Sequence, residues 1–305
     1  MDQPFPRRSL HFVPGGQSRM FEKALSLDAD TLILDLEDAV TPDRKAEARQ
    51  EVLGWLEALA DRPQERMVRA NPLSTPWGEA DLEALVLAPV PPHSLLVPKV
   101  SSTEDVIALV QRLEDLEAQR SCPCAPVNLM LVATETAAGA LNLPTTARAP
   151  RVSAVTWGAE DLSAVLGASS TRDGAGRYWP VFAHCRLMTL LSASAAGCLP
   201  IDGVYTQIRD GEGLAAECAE ASAVGFRGKM SLHPDQIPII NAAFTPSEAR
   251  IAAAEGLLKA FRAAQKAGKM AFAYEGEMVD APHLARAEAT LALAQRLGLR
   301  PTDNH

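Results

Sequence analysis

The chain has 305 residues, of which 47% are hydrophobic and 22% charged, as expected for a globular protein with a sizeable core. Its formal net charge of −9 argues against a nucleic-acid backbone or an anionic membrane surface as a partner. No apolar run is long enough to span a membrane, and the five cysteines form an odd, widely spaced set, so we expect a reduced, cytoplasmic protein.

Eight short, strand-like apolar runs recur along the chain, and most of them end at a charged or polar residue. They cover residues 8–15, 31–38, 65–71, 94–99, 128–135, 152–161, 202–210 and 228–234. Alternation of such strands with helices through short connections forces the strands to be parallel, and eight of them close into a barrel. The predicted fold class is therefore α/β, a (β/α)₈ TIM barrel.

Helical patterns lie between several of these runs. The clearest cover residues 18–27, 42–60, 102–116, 182–196 and 211–223. The sequence Ser-Thr-Glu-Asp, which opens the helical segment at Ser102, predicts a capping box. By contrast, residues 169–178 are polar and rich in glycine, which predicts a long loop after the sixth strand.

The last part of the chain follows the eighth strand and contains helical patterns at residues 245–267 and 284–297. We therefore expect a barrel domain over residues 1–244 and a C-terminal helical extension over residues 245–305. Because the barrel is complete without it, the extension is predicted to act as a lid or to contact a neighbouring subunit.

Carboxylates end the fifth and sixth strand-like runs, at Glu135 and Asp161. The active sites of TIM barrels lie where the parallel strands end, so these side chains are expected to meet in one mouth. Mg²⁺ prefers oxygen ligands and uses one or two protein carboxylates, which makes this pair the predicted metal ligands. The alternative is that each carboxylate caps the following helix or pairs with a lysine.

An acidic cluster of Asp35, Glu37 and Asp38 ends the second run, and Arg69 with Asn71 ends the third. Three neighbouring carboxylates repel one another unless a cation or an arginine compensates them. Arg69 could grip a substrate carboxylate or stabilise an oxyanion. It could equally form a salt bridge with Glu37 and Asp38, and the two roles are compatible.

Four further cationic or titratable residues each have a functional and a structural interpretation. Lys99 could form a Schiff base with a ketone, or it could be an ion-paired lysine. His233 is more typical of a structural histidine than of a ligand. Arg19 and Lys23, near the end of the first strand, could hold phosphates or lie on a solvated helix face.

At these residues the chain resembles the citrate lyase β-subunit-like family of CoA-ester lyases, which includes malyl-CoA and citramalyl-CoA lyases. The resemblance covers nearly the whole chain and rests on RSLHFVPGG, ADTLILDLEDAV, VRAN, VPK, ATETAAG, WGAEDL, DGVYTQIRD, SLHPDQI and GEMVDAP, in this order. It implies a Mg²⁺-dependent barrel that cleaves or forms a carbon–carbon bond beside a thioester carbonyl. It also implies a homotrimer.

The resemblance further implies a role for each matching residue. Glu135 and Asp161 would bind Mg²⁺, Glu37 and Asp38 would hold the surrounding waters, and Arg69 would face the thioester oxygen or the acid. Asp280 would be a catalytic aspartate that a neighbouring subunit supplies. Substrate contacts are expected from Arg69, Glu135, Ala137, Ala138, Gly139, Arg19 and Lys23.

The function predicted from the sequence is cleavage or formation of a 3-hydroxy-acyl-CoA, such as malyl-, citramalyl- or citryl-CoA, into acetyl-CoA and a 2-oxo acid. Two alternatives remain at this point. The chain could be the β-subunit of a citrate lyase complex that acts on a citryl thioester of an acyl-carrier partner, or it could be a metal-independent Schiff-base aldolase that uses Lys99.

Overall fold

The computed structural model describes residues 5–120, 124–266, 268 and 271–300. Eight parallel strands form a closed barrel in chain order, and the last strand pairs with the first. They are β1 Ser9–Pro14, β2 Thr31–Asp35, β3 Glu65–Arg69, β4 Ser94–Val97, β5 Asn128–Val132, β6 Val152–Thr156, β7 Leu199–Asp202 and β8 Gly228–Ser231. The predicted (β/α)₈ TIM barrel is confirmed.

Helices follow the strands on the outside of the barrel. They are α1 Ser18–Ala24, α2 Lys45–Ala58, α3 Gly78–Val86, α4 Thr103–Glu117, α5 Ala137–Thr146, α6 Ala159–Leu166, α7 Pro180–Ala196, α8 Gly211–Val224 and α9 Gln236–Phe244. The predicted capping box opens α4, where Ser102 Oγ accepts from the Asp105 N–H at 3.1 Å and Asp105 accepts from the Ser102 N–H at 2.9 Å. The sequence patterns did not predict α3, α5, α6 and α9.

One predicted strand is displaced. The run 202–210 was predicted as the seventh strand, but β7 ends at Asp202 and the following residues form a loop. Side chains hold this loop, because Gln236 donates to the Tyr205 carbonyl at 2.9 Å and the Tyr205 hydroxyl donates to Asp210 at 2.6 Å. Pro200, which has no N–H to donate, weakens the strand signal of β7 itself.

The interior of the barrel contains an apolar layer to which every strand contributes one buried side chain. The layer consists of Leu10, Ile33, Met67, Leu96, Met130, Ala154, Ile201 and Met230. Because side chains alternate along a strand, residues two positions further on face the same interior. On β2 and β3 these residues are Asp35 and Arg69, so the apolar layer forms the floor beneath them.

A buried ion pair lies at the opposite end of the barrel. Arg7 donates to both carboxylate oxygens of Glu65, at 2.7 and 2.5 Å, and the two side chains are 1% and 0% exposed. Hydroxyl groups complete the cluster: Thr31 and Ser94 donate to Glu65 at 2.9 and 2.7 Å, and Ser153 accepts from Arg7 at 3.0 Å. Burial raises the pKa of Glu65, but the Arg7 charge outweighs burial and holds it below its usual value.

The chain divides into two compact units, Arg7–Asn241 and a second unit that starts at Ala242. The second unit contains α10 Glu248–Lys266, the antiparallel pair β9 Phe272–Tyr274 and β10 Glu277–Val279, and α11 Ala281–Arg296. Ala254 of α10 packs against Ala287 and Leu291 of α11. Among the described residues, no helix has the length and apolar character needed to cross a membrane.

The Arg7–Glu65 pair predicts a large stability effect. Substituting Glu65→Ala leaves Arg7 buried without its partner, which costs about 3–5 kcal/mol of unfolding free energy in comparable cases. Urea unfolding followed by circular dichroism measures this loss. The matched control is Glu47→Ala, which removes an ion pair with Arg44 whose two side chains are 61% and 42% exposed, and it should leave the unfolding midpoint close to wild type. A Glu65→Ala midpoint equal to that of the control would contradict the prediction.

Candidate active site

A cavity of about 480 Å³ lies at the carboxyl ends of the barrel strands. Five of the residues considered in the sequence analysis line it: Arg69, Glu135, Asp161, His233 and Lys23. The cavity also contains Asp35, together with apolar side chains of β1, β5 and β8. Polar groups at strand ends above an apolar floor are the usual arrangement of an active site on this fold.

Arg69 is the central cation of the cavity. Its Nε and Nη2 donate to the two carboxylate oxygens of Asp35, both at 2.7 Å, and its Nη1 lies 3.0 Å from Glu37 Oε2. Its guanidinium carbon stands 5.0 Å from the centre of the Phe12 ring. Burial alone would lower the pKa of Arg69, but the bonds to Asp35 outweigh burial and raise it. The sequence offered a pairing of Arg69 with Glu37 and Asp38; the pairing with Glu37 is present, but the second partner is Asp35 and not Asp38.

Lys99 is the second cation. Its ammonium contacts Glu37 and lies 3.0 Å from an oxygen of Asp38. Burial would lower the pKa of Lys99, yet the hydrogen bonds to the two carboxylates outweigh burial and raise it. The same bonds overcome the effect of burial at Asp38, whose pKa is lowered, whereas at Glu37 burial prevails and the pKa is raised. Lys99 is thus an ion-paired ammonium group.

Glu135 lies at the end of β5 and is 4% exposed. One of its oxygens accepts the backbone N–H of Lys99 at 2.6 Å, and Lys99 has a φ of 55°, in the left-handed region that non-glycine residues rarely adopt. Burial, followed by the nearby charges of Asp161 and Glu37, raises the pKa of Glu135 to about 8. Within the described residues, neither Glu135 nor Asp161 forms an ion pair.

Gly158 provides the room for Glu135. A Cβ atom at this position would lie 2.8 Å from Glu135 Cγ and 3.4 Å from its Oε1. Gly158 has ordinary extended dihedral angles, φ −124° and ψ 111°, so the glycine is needed for space and not for backbone freedom. It directly precedes α6, whose first turn contains Glu160 and Asp161.

These carboxylates fit a hard divalent cation. Glu135 is buried near Asp161, and burial, together with the charges of Asp161 and Glu37, raises its pKa. In the described part of the chain, no group of three or more His, Cys, Asp or Glu side chains is assembled as a metal site. Two carboxylates remain sufficient for Mg²⁺, which keeps several of its waters.

A second network, not predicted from the sequence, holds the ends of β2 and β3. The buried Lys45 ammonium donates to the carbonyls of Leu36 and Glu37, at 2.8 and 2.7 Å, and to Asn71 at 2.8 Å. Asn71 in turn donates to Asp81 at 2.6 Å. The network fixes the backbone that presents Glu37, and the sequence pattern does not show it because Lys45 binds backbone carbonyls and Asn71, 26 residues away.

Trp157, also missed, forms part of the cavity wall. Its indole N–H donates to Asp202 at 2.8 Å, and Asp202 accepts from Lys229 at 2.8 Å and Arg186 at 3.0 Å. Burial would raise the pKa of Asp202, but the Lys229 and Arg186 charges outweigh burial and lower it to about 2. This charge cluster connects β7, β8 and α7 and positions the tryptophan.

Other predicted site residues lie elsewhere. Arg19, Ala137 and Ala138 are exposed, and Gly139 is buried where a Cβ would meet the Val100 carbonyl at 2.2 Å; none of the four lines the cavity. They remain predictions for contacts with a bound substrate. Asp280 belongs to the second unit, where it precedes α11 and contacts His283 Nδ1 at 2.7 Å.

The chain matches the family HpcH/HpaI aldolase/citrate lyase over residues 8–234. It is 36% identical to the mitochondrial citramalyl-CoA lyase of Homo sapiens, and the alignment covers 95% of this chain and 86% of that protein. It is 38% identical to a (3S)-malyl-CoA thioesterase of Cereibacter sphaeroides, with 97% of each covered.

Among solved structures, the chain is similar to the CitE protein of Mycobacterium tuberculosis in complex with magnesium, acetoacetate and coenzyme A. The TM-score is 0.73 at 38% identity, covering 94% of this chain and 97% of that chain. A citrate lyase β-subunit from the same organism, complexed with oxaloacetate and magnesium, gives a TM-score of 0.67 at 36% identity and covers 81% of this chain and 100% of that chain. The protein belongs to the HpcH/HpaI aldolase/citrate lyase family.

Proposed function

We propose that the protein is a Mg²⁺-dependent carbon–carbon lyase that cleaves, or in reverse forms, a 3-hydroxy-acyl-CoA such as malyl- or citramalyl-CoA. The observation that carries this proposal is the buried Glu135 beside Asp161, without a cationic partner among the described residues, in one cavity with Arg69. Relatives named for citramalyl-CoA and malyl-CoA chemistry, and a similar structure that contains magnesium and coenzyme A, support it.

Glu135 and Asp161 would hold the metal, and Glu37 and Asp38 would orient the water around it. When bound, Mg²⁺ supplies a Lewis acid for the oxygens of the departing 2-oxo acid. Lys99 holds Glu37 and Asp38 in place through its ammonium and supports Glu135 through its backbone N–H. One residue therefore positions all three carboxylates.

Arg69 is suited to the charge that develops during cleavage. Breaking the bond between the carbinol carbon and the α-carbon of the thioester leaves an enolate, while the hydroxyl becomes the carbonyl of the 2-oxo acid and passes its proton to a carboxylate of the site. Asp35 and Glu37 fix the guanidinium but do not use all of its N–H groups. The remaining donors can face the thioester oxygen and stabilise the enolate.

Asp280 is our proposed acid–base residue. It would deliver a proton to the enolate carbon in cleavage and remove it in condensation. Its side chain is 50% exposed, and it belongs to the second unit rather than to the barrel. We propose that a homotrimer brings Asp280 of one subunit to the cavity of another, as the family resemblance implies.

The geometry disfavours the Schiff-base alternative. A lysine attacks a ketone as the neutral amine, whereas Lys99 is held as an ammonium group between Glu37 and Asp38, and its pKa is raised. A thioester on an acyl-carrier partner remains a second source of substrate, because one relative is named citrate lyase subunit beta-like protein. Assays with free CoA esters separate these two sources.

The cytoplasm is our proposed compartment. Cys185, Cys198 and Cys218 are buried free thiols and Cys124 is an exposed one, as expected in a reducing environment. The human relative is named as mitochondrial, so fractionation of the source cells decides this point.

Gly158→Ala tests the role of space around Glu135. The added Cβ displaces the Glu135 side chain, and disturbed support of a ligand typically costs about 10–100-fold in metal affinity. Mn²⁺ binding, measured by electron paramagnetic resonance, should weaken by this factor. The control is Gly174→Ala, where a Cβ has no neighbour within 4 Å, and it should bind Mn²⁺ as the wild type does. Equal affinity in the two variants would contradict the prediction.

Asp161→Ala tests the metal-dependent reaction itself. Release of acetyl-CoA from malyl- or citramalyl-CoA should fall by at least about a hundredfold, because the stabilisation of developing charge is lost. The same loss is expected for wild-type enzyme treated with EDTA, and added Mg²⁺ should restore only the wild type. Full activity of the variant, or of the metal-free enzyme, would refute the proposed function.

Asp280→Asn tests the acid–base role of Asp280 and whether a neighbouring subunit supplies this residue. Cleavage should fall by about 10²–10⁴-fold, the usual contribution of a general acid or base. Co-expression of Asp280→Asn with Asp161→Ala chains should recover activity, because mixed oligomers then contain cavities with both intact residues. If the mixed oligomers stay inactive while each parent oligomer retains its assembly, Asp280 does not act across subunits.

A further inference from the structure

His11 lies on β1, lines the active-site cavity and is 5% exposed, yet nothing in the proposed reaction uses it. Its Nδ1 lies 3.2 Å from the hydroxyl oxygen of Ser231 on β8. The other ring nitrogen, Nε2, is therefore the group whose role is open. A buried polar atom beside a cavity is expected to find a partner, either in the protein or in a ligand.

The hydrogen-bond inventory of Ser231 fixes the tautomer of His11. A serine hydroxyl has a single proton, and Ser231 donates it to the carbonyl of His233 at 3.0 Å. In the contact with His11, the Ser231 oxygen can therefore only accept, so the proton of the imidazole resides on Nδ1. In a neutral imidazole, Nε2 is then a pure acceptor.

The charge state of His11 agrees with this assignment. Burial, assisted by the nearby Lys23 ammonium, outweighs the effect of a hydrogen bond to the Ser231 backbone and lowers the pKa of His11 to about 4, so the ring is neutral at physiological pH. A phosphate group needs donors, and the single N–H of His11 is already used by Ser231. His11 is thus unsuited to bind phosphate and suited to accept a hydrogen bond from an N–H or O–H group.

We propose that His11 Nε2 accepts a hydrogen bond from an amide N–H or the hydroxyl of the pantetheine arm of a CoA thioester. The inference rests on the proposed function. Lys23, an exposed cation that lines the cavity, helps to lower the pKa of His11. The charges that affect the pKa of Glu135 are instead those of two carboxylates and of Arg69. A thioester with its acyl group at Glu135 and its phosphates towards Lys23 would lay the arm along the cavity beside His11.

His11→Asn tests the contact, because the asparagine amide can still donate to Ser231 but has no equivalent of Nε2. The measured quantity is the ratio of kcat/KM for the CoA ester to kcat/KM for the S-ethyl thioester of the same acid. We expect this ratio to fall about three- to tenfold, the contribution of one hydrogen bond. His184→Asn, the same substitution at an exposed position of α7, should leave the ratio unchanged. An unchanged ratio in folded His11→Asn protein would overturn the proposal.

A second measurement uses the wild-type protein and needs no turnover. With ¹⁵N-labelled histidine, the Nε2 resonance of His11 should shift when CoA is added and should not shift with 3′,5′-ADP, which has phosphates but no arm. No shift with CoA, or an equal shift with both, would overturn the contact. If the wild type cleaves neither thioester, the proposed function fails, while this resonance still decides the role of His11.

Discussion

An excess of negative charge at the mouth of the barrel, part of it buried, governs this site. Its carboxylates are Asp35, Glu37, Asp38, Glu135 and Asp161, and the two cations placed among them are Arg69 and Lys99. Both cations form ion pairs with the first three carboxylates. Glu135 is left with one backbone N–H, and burial, together with the charges of Asp161 and Glu37, raises its pKa. A divalent cation is the simplest compensation for such an arrangement.

The fold creates this imbalance through precise positioning. The apolar layer inside the barrel excludes water from below, so the polar groups one layer higher have few solvent partners. The left-handed backbone of Lys99 directs an N–H towards Glu135, while its side chain holds Glu37 and Asp38. Strain in the backbone is tolerated where it orients catalytic groups. Gly158 leaves the remaining space that Glu135 needs.

The sequence predicted those features that are local or repetitive. The alternation of strands and helices predicted the barrel, and the polar residues at strand ends identified Arg69, Glu135 and Asp161 as candidates for one mouth. It could not predict that Asp35, rather than Glu37 alone, would hold Arg69, because the pairing depends on register between β2 and β3. Ser231 and His11 are far apart in sequence, and their contact arises only when the last strand closes on the first.

The most direct test of the account is the anomalous scattering of Mn²⁺ soaked into crystals of the protein. If Glu135 and Asp161 bind the metal, we expect one strong peak in the cavity, about 2.0–2.3 Å from a carboxylate oxygen of each residue. No peak there, or the two carboxylates turned onto neighbouring basic side chains, would contradict the account.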